Sequence, residues 1–144
     1  MTTPEQNKET ALRFGEEVFN NKNLAVAEEI LSEDFVEHDV LPGMTPDKKG
    51  ALQWFAQMMQ MVPDMHSEIR HIVASGDRVA IHSTFSGTDA GGMVPGVPPT
   101  GKSFEADSMD ILRFDDDGKC AEHWGIQDQM SMMIQLGLVQ PPGM

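Results

Sequence analysis

Gly96-Val97-Pro98-Pro99-Thr100-Gly101-Lys102-Ser103 fits the phosphate-loop pattern G-x-x-x-x-G-K-[ST] letter for letter. Such a loop would make this a nucleotide-binding α/β protein, with a buried strand before the glycines and a helix after the lysine. The surroundings point elsewhere. Pro98 and Pro99 each remove a backbone N–H that a phosphate would need. Upstream, Gly91-Gly92-Met93-Val94-Pro95 is loop-forming. Downstream, Ser103 to Phe114 has no helix start and reads as a long strand. The stretch is therefore the end of a loop running from Thr88 to Gly101, and nucleotide binding is set aside.

The neighbouring segments extend that pattern. His66 to Ser75 reads as a strand, Gly76-Asp77 as a two-residue hairpin turn, and Arg78 to Gly87 as the returning strand. Alternation places Val79, Ile81 and Phe85 on one face of it and His82, Thr84 and Ser86 on the other. Asp115-Asp116-Asp117-Gly118 turns Ser103–Phe114 into a further strand, Lys119 to Gln127. The first half of the chain has the helical period instead. Thr3 caps a helix, with Pro4 in its first turn and Gln6 closing a capping box. Ala11, Phe14, Val18 and Phe19 carry that helix to Asn21. Leu24, Ala27, Ile30 and Leu31 mark a short second helix, and Phe35-Val36-Glu37-His38 a brief extended piece. Leu41-Pro42-Gly43 is a turn. Thr45-Pro46-Asp47 opens a third helix, with Leu52, Phe55, Ala56 and Met59 on its apolar face and Pro63 as its stop. A last helix runs from near Asp128 to Leu136, with Gly137 as its C-cap. Helices followed by an antiparallel meander form an α+β pattern. A strongly bent sheet wrapped on the helices would make a cone with one internal cavity.

The 144 residues suit a single domain, 1–144. Asp and Glu number 23 against 10 Lys and Arg, a net charge of −13. That charge repels nucleic acid and anionic membranes, so neither is expected as a partner. No run reaches transmembrane length, and the polar, acidic N-terminus is unlike a signal peptide, so a cytoplasmic protein is expected. The single cysteine, Cys120, cannot form an internal disulfide and reads as a packed thiol. The five histidines show no paired ligand spacing, and no metal or cofactor is expected. Asp115–Gly118 is no calcium loop: with Gly118 sixth, Arg113 would be first and Trp124 twelfth. Ser83, Ser86 and Ser108 lack a G-x-S-x-G context and are not expected as nucleophiles.

A family resemblance rests on an ordered set of motifs: Phe35-Val36-Glu37-His38-Asp39, Val62-Pro63-Asp64, Gly76-Asp77-Arg78-Val79-Ala80, Gly87-Thr88, Gly96 to Lys102, Asp110-Ile111-Leu112-Arg113, Asp117-Gly118-Lys119, Glu122-His123-Trp124, Asp128 and Gln135-Leu136-Gly137. Together these resemble the SnoaL-like polyketide cyclases, also called ester cyclases, over nearly the whole chain. The resemblance implies the α+β cone of nuclear transport factor 2-like proteins. It also implies ring closure by intramolecular aldol condensation, without metal or cofactor. Such chemistry needs a base, hydrogen-bond donors for an enolate oxygen, and a dry pocket. The resemblance further implies an acid/base Asp two residues after the last-strand His. That position here is Gly125, and the family's second site, a His on the preceding strand, falls at Asp110. The proton-transferring pair is thus rearranged.

Asp110 shares a strand face with Ser108 and Leu112, and His123 shares one with Ala121 and Gly125. Facing an apolar cavity, Asp110 would act as base, with His123 as its acid/base partner or orienter. His38, Trp54, Phe55, Met58, His82, Ser108 and Gly125 are the expected substrate-binding positions, each with a structural role as its alternative. Trp124 falls on the opposite face from His123. The expected function is a cofactor-independent cyclase or isomerase acting on a small apolar or aromatic carbonyl compound. An epoxide hydrolase or hydratase on the same scaffold, and a non-catalytic binding module, stand beside it. A homodimer or larger homo-oligomer is expected, because an open sheet exposes one face.

Overall fold

A computed structural model describes residues 2–143. Helix α1 (Pro4–Phe14) starts with the expected box: the Gln6 N–H donates to Thr3 Oγ1 at 3.1 Å, and the Thr3 N–H to Gln6 Oε1 at 2.9 Å. At Gly15 the helix widens into a π-helical stretch, Gly15–Asn20, closed by the Asn21 N–H on the Glu16 carbonyl at 3.0 Å. That stretch carries Phe19, whose ring meets Phe14, Phe55 and Phe85 edge-on. Helix α2 (Leu24–Ile30) stops one residue before its apolar pattern does. Leu31 has extended backbone and begins strand β1 (Leu31–Glu37).

Helix α3 (Lys48–Met61) is capped by Asp47 rather than Thr45. Asp47 Oδ1 accepts from the Gly50 N–H at 2.9 Å and from the Thr45 hydroxyl at 2.7 Å. A carboxylate beside the positive helix end outcompetes a hydroxyl, which becomes its support. Ala51, Phe55 and Met58 are buried on this helix, while Leu52, Ala56 and Met59 are only partly covered.

Four long strands follow: β2 (His66–Ser75), β3 (Arg78–Thr88), β4 (Ser103–Phe114) and β5 (Cys120–Gln127). Gly76 takes a φ of 59° in the turn that sets Ser75 opposite Arg78. The sheet order is β1-β5-β4-β3-β2. The brief extended piece foreseen around Phe35 is the fifth strand, and it joins parallel to β5, with Glu37 in register with His123. Irregularities in pairing between Ile69 and His71, and between Arg113 and Phe114, mark where the sheet bends. The result is an α+β fold, a curved and mostly antiparallel sheet with helices on its concave side. Helix α4 (Gln129–Gln135) is capped by Asp128 and follows β5 directly.

Two apolar clusters fill the concave side. One joins Val18, Ala27, Ile30, Phe35, Phe55, Val79, Ile81 and Phe114. The other joins Met58, Val62, Met65, Phe85, Phe104, Met132 and Leu136. No helix among the described residues is long and apolar enough to cross a membrane.

The loop after β3 is held from within. Asp89 is only 2% exposed. Its carboxylate accepts from the N–H groups of Gly92, Met93 and Thr100 and from the Thr100 hydroxyl, at 2.8 to 3.0 Å. Burial pushes the Asp89 carboxyl up, but these donors outweigh it and hold the group below the usual carboxylate range. The N–H groups of Ala90 and Gly91 both donate to the Met61 carbonyl, which ties the loop to the end of α3. Replacing Asp89 with Ala strands four donors. The expected loss is roughly 1–3 kcal/mol in urea unfolding, with faster proteolysis inside the loop. An unchanged unfolding midpoint and cleavage rate would show that the loop does not depend on this carboxylate.

Candidate active site

A cavity of about 170 Å³ lies between the concave sheet and helices α1 and α3. Phe14, Phe19, Phe35, Trp54, Phe55, Ile81, Phe85 and Leu112 supply most of its wall, and neither lysine nor arginine lines it. An engineered apolar cavity of about 150 Å³ takes up benzene, so this space suits a small ring compound. No residue of the Thr88–Gly101 loop reaches the wall; Asp39, Leu41 and Met44, from the segment after β1, do.

At one end three strands bring polar groups together. Strand β4 contributes Ser108 and Asp110, β5 contributes His123, and β1 contributes Glu37. The backbone of Glu37 is fixed by its N–H on the Pro46 carbonyl at 3.1 Å, and the next N–H, of His38, donates to the His123 carbonyl at 3.0 Å. In the β4–β5 ladder Asp110 stands opposite Gly125, and Leu112 opposite His123. The imidazole must therefore lean two pairs along the ladder, past Ile111 and Trp124, to meet Asp110. It does so, with Nε2 2.7 Å from Asp110 Oδ1. Its Nδ1 lies 2.6 and 2.8 Å from the two oxygens of Glu37. Asp110 Oδ2 accepts from the Ser108 hydroxyl at 2.8 Å.

Gly125 makes the lean possible. A Cβ at this position would stand 2.7 Å from Asp110 Oδ1, and 2.9 and 3.0 Å from imidazole Cε1 and Nε2. The place where the resemblance implies an aspartate is here the slot in which histidine and aspartate meet.

Burial alone would push the His123 pKa down, but hydrogen bonds and charge from Asp110 and Glu37 outweigh it and raise it to about 10. At neutral pH both ring nitrogens therefore carry protons and donate. His123 is a fixed cation between two carboxylates, not a free base. The side chain of Glu37 is 10% exposed and that of Asp110 is 24%, so Asp110 is the carboxylate more open to the cavity. Each Asp110 oxygen keeps a lone pair beyond the bond it accepts.

Of the residues singled out in the sequence, Asp110, His123 and Ser108 come together, and Trp54 and Phe55 lie in the wall. Three expected positions lie elsewhere. His38 is exposed; its Nε2 pairs with Glu122 at 2.7 Å, and its ring stacks on Trp124 at 4.6 Å and 4°. One residue after inward-facing Glu37, it takes the opposite face. His82 also faces outward, beside His71 at 3.1 Å and Asp107 at 3.4 Å, because Ile81, Ser83 and Phe85 occupy the inner positions of β3. Met58 is about one turn of α3 beyond Trp54 and Phe55 and packs into the second apolar cluster. Trp124 lies on the outer face, under the Arg78 guanidinium at 5.2 Å.

Glu37 is the site residue that sequence reasoning passed over. Its signal is a carboxylate two positions after Phe35 in an extended piece, on the face that alternation turns inward. Cys120 lines the cavity, and burial, with Glu37 nearby, pushes its thiol up to about 12, which keeps it unreactive. Glu37, His123 and Asp110 stand in a row with the imidazole between the acids. No group of three such side chains among the described residues converges on a metal position.

A family model for SnoaL-like polyketide cyclases matches residues 9–136. Among solved structures, wild-type IdmH from Streptomyces antibioticus, a candidate polyketide cyclase, is 34% identical, with 92% of this chain and 99% of that one aligned and a TM-score of 0.77. TsrD from Streptomyces laurentii is 22% identical over 96% of this chain and 100% of that one, with a TM-score of 0.85. An LEH-like epoxide hydrolase of M. tuberculosis shares the fold at 15% identity and a TM-score of 0.69, over 92% of this chain and 90% of that one. A comparison with proteins of curated function gave no match. Motif order, fold and family match agree: the chain belongs to the SnoaL-like polyketide cyclase family.

Proposed function

We propose that this protein is an acid/base enzyme that enolises a small, largely apolar carbonyl compound and carries it on to ring closure or isomerisation. The observation that supports this is the Glu37–His123–Asp110 row at one end of an apolar cavity. Asp110 is the base for a C–H next to the carbonyl. His123 holds Asp110 aimed through its Nε2–H, and Glu37 helps to hold His123 protonated. Trp54, Phe55 and the neighbouring phenylalanines fold the substrate against this end. IdmH, the 34% identical relative, is itself a candidate polyketide cyclase, which favours cyclisation.

The test uses 2-tetralone in D2O, with α-proton exchange followed by proton NMR. The wild-type rate is expected to hold from neutral pH to about 9 and to fall near pH 10, where His123 loses its proton. Asp110→Asn should lose about 10²–10⁴ of the rate. Glu37→Gln should move the alkaline fall to lower pH, because one of the two acids raising His123 is gone. Unaltered exchange in Asp110→Asn removes the assignment of the base.

A second chemistry on the same groups is addition of water to an epoxide, with Asp110 taking the proton from water. The lone pair that each Asp110 oxygen keeps beyond its bonds to His123 and Ser108 favours it, since it can accept that proton. Oxygen-18 from solvent in the product would separate it from cyclisation.

The raised His123 pKa also links charge to stability. A folded-state value near 10, above the ordinary 6.5, means stability that is complete below about pH 6.5 and is lost as pH rises toward 10. The wild-type Tm should therefore fall between pH 7 and 10, by the equivalent of a few kcal/mol, roughly. His123→Gln should show a flatter profile over that window. Parallel profiles would mean that His123 is not held protonated by folding.

We also propose that the outer sheet face packs against a second copy. Val73, Ala80, Ile111 and Trp124 form one cross-strand row there, beside His82, Met109 and Ile126. Val73, Met109 and Ile126 are each more than half exposed in the single chain. An apolar stripe across four strands is a surface that a monomer rarely leaves open. Sedimentation should find a dimer or larger species, and Ile111→Lys with Ile126→Lys should shift it to monomer. A monomeric wild-type chain at micromolar concentration overturns this.

A further inference from the structure

We propose that Ser83 is a further catalytic residue, the hydroxyl that donates a hydrogen bond to the substrate oxygen on which charge develops. The proposal rests on the enolisation chemistry above and supplies the group it lacks. Both N–H donors of His123 are committed, one to Asp110 and one to Glu37. The Ser108 hydroxyl is committed to Asp110. An enolate oxygen needs a donor that is still free.

Ser83 has the required position. It lies on the inward face of β3, between Ile81 and Phe85, and stands directly opposite Ser108 in the ladder. It is 6% exposed and lines the cavity. Among the described residues no sealed side-chain polar atom lacks a hydrogen-bond partner. Among the described residues the Ser83 hydroxyl has no hydrogen-bond partner, so it opens onto the cavity. Asp110 stands opposite Ile81, which makes Ser83 and Asp110 diagonal neighbours across β3 and β4. Diagonal neighbours are roughly 7–8 Å apart at the backbone. An H–C–C=O unit bridges such a gap, with its C–H toward the carboxylate and its oxygen toward the hydroxyl.

The step balances with these groups alone. Asp110 takes the α-proton, and the C–H electron pair becomes the C=C bond of the enolate. The carbonyl π pair moves to oxygen, which accepts the Ser83 O–H. In D2O the carbon then takes a deuteron back, and no oxidant or reductant is involved. A donor aimed at developing charge contributes most where water is excluded.

The test compares wild type, Ser83→Ala and Ser83→Cys by α-exchange of 2-tetralone and by binding of 2-naphthol, an enol mimic, against naphthalene. Ser83→Ala is expected to lower kcat by roughly 10- to 100-fold, with KM nearly constant and Tm and His123 titration unchanged. Its affinity for 2-naphthol should fall several-fold while naphthalene binding holds. Ser83→Cys, a weaker donor of similar shape, should fall between. Unchanged exchange in Ser83→Ala, or equal losses for 2-naphthol and naphthalene, overturns the proposal. If wild type does not exchange α-protons at all, enolisation itself fails. The two aromatic ligands then still decide whether Ser83 donates to a bound oxygen: selective loss of 2-naphthol supports it, and no selective loss removes it.

Discussion

Two carboxylates and one imidazole share one end of this cavity, and the arrangement holds only while the imidazole is charged. Glu37 and Asp110 each lie in poor contact with water, where a lone ionised carboxylate is costly. The proton on His123 compensates both at once. That single cation explains several features of the fold. Strand β1 must lie parallel to β5 so that Glu37 reaches Nδ1. The ladder must set Asp110 two pairs away from His123, on the same face, and position 125 must have no side chain, so that the ring can lean across. Loss of the proton would leave two like charges facing one neutral ring.

The same arrangement divides labour between chemically similar acids. Glu37 gives both oxygens to Nδ1 and is nearly buried, which suits fixing a ring and its charge. Asp110 gives one oxygen to the ring and one to Ser108, and it faces the apolar space. A base must touch what it deprotonates, so exposure to the cavity supports the proposed division of roles. With no lysine or arginine in the wall, His123 is the one cationic side chain lining the cavity, and it is already paired. An anionic ligand would find no counter-charge, which agrees with a neutral carbonyl compound.

Much of this was legible in the chain because period reports face. The switch from helical to alternating period gave the α+β order, and alternation gave Asp110 and His123 each its face-mates, Ser108 and Leu112 for one and Ala121 and Gly125 for the other. The Gly76-Asp77 turn gave the hairpin register. Other features depend on contacts far apart in sequence. Nothing local shows that Leu31–Glu37 would add to the sheet next to β5, so Glu37 stayed hidden and His38 was placed near the cavity. His82 was misplaced for a different reason: its strand face was read correctly, but the polar face of β3 is the outer one. The cap of α3 turned on a competition between Thr45 and Asp47 that side-chain charge decides. The loop after Thr88 has glycines that permit motion, yet Asp89, unremarkable in the sequence, gathers its N–H groups around one buried carboxylate.

Membership in a family of cyclases gives the scaffold, and the reaction is set by where the proton-taking group stands on it. The resemblance implies a carboxylate on the last strand. Here the carboxylate is on the neighbouring strand, directly across the ladder, and glycine takes the vacated place. Paired positions on adjacent strands face the same space from slightly different points. A carboxylate on the neighbouring strand still faces the cavity, from the other side of the pair. The glycine leaves open the path by which His123 reaches it. On the proposed reading, with Asp110 as the base, the same apolar walls would present a different C–H to it than a last-strand carboxylate would meet.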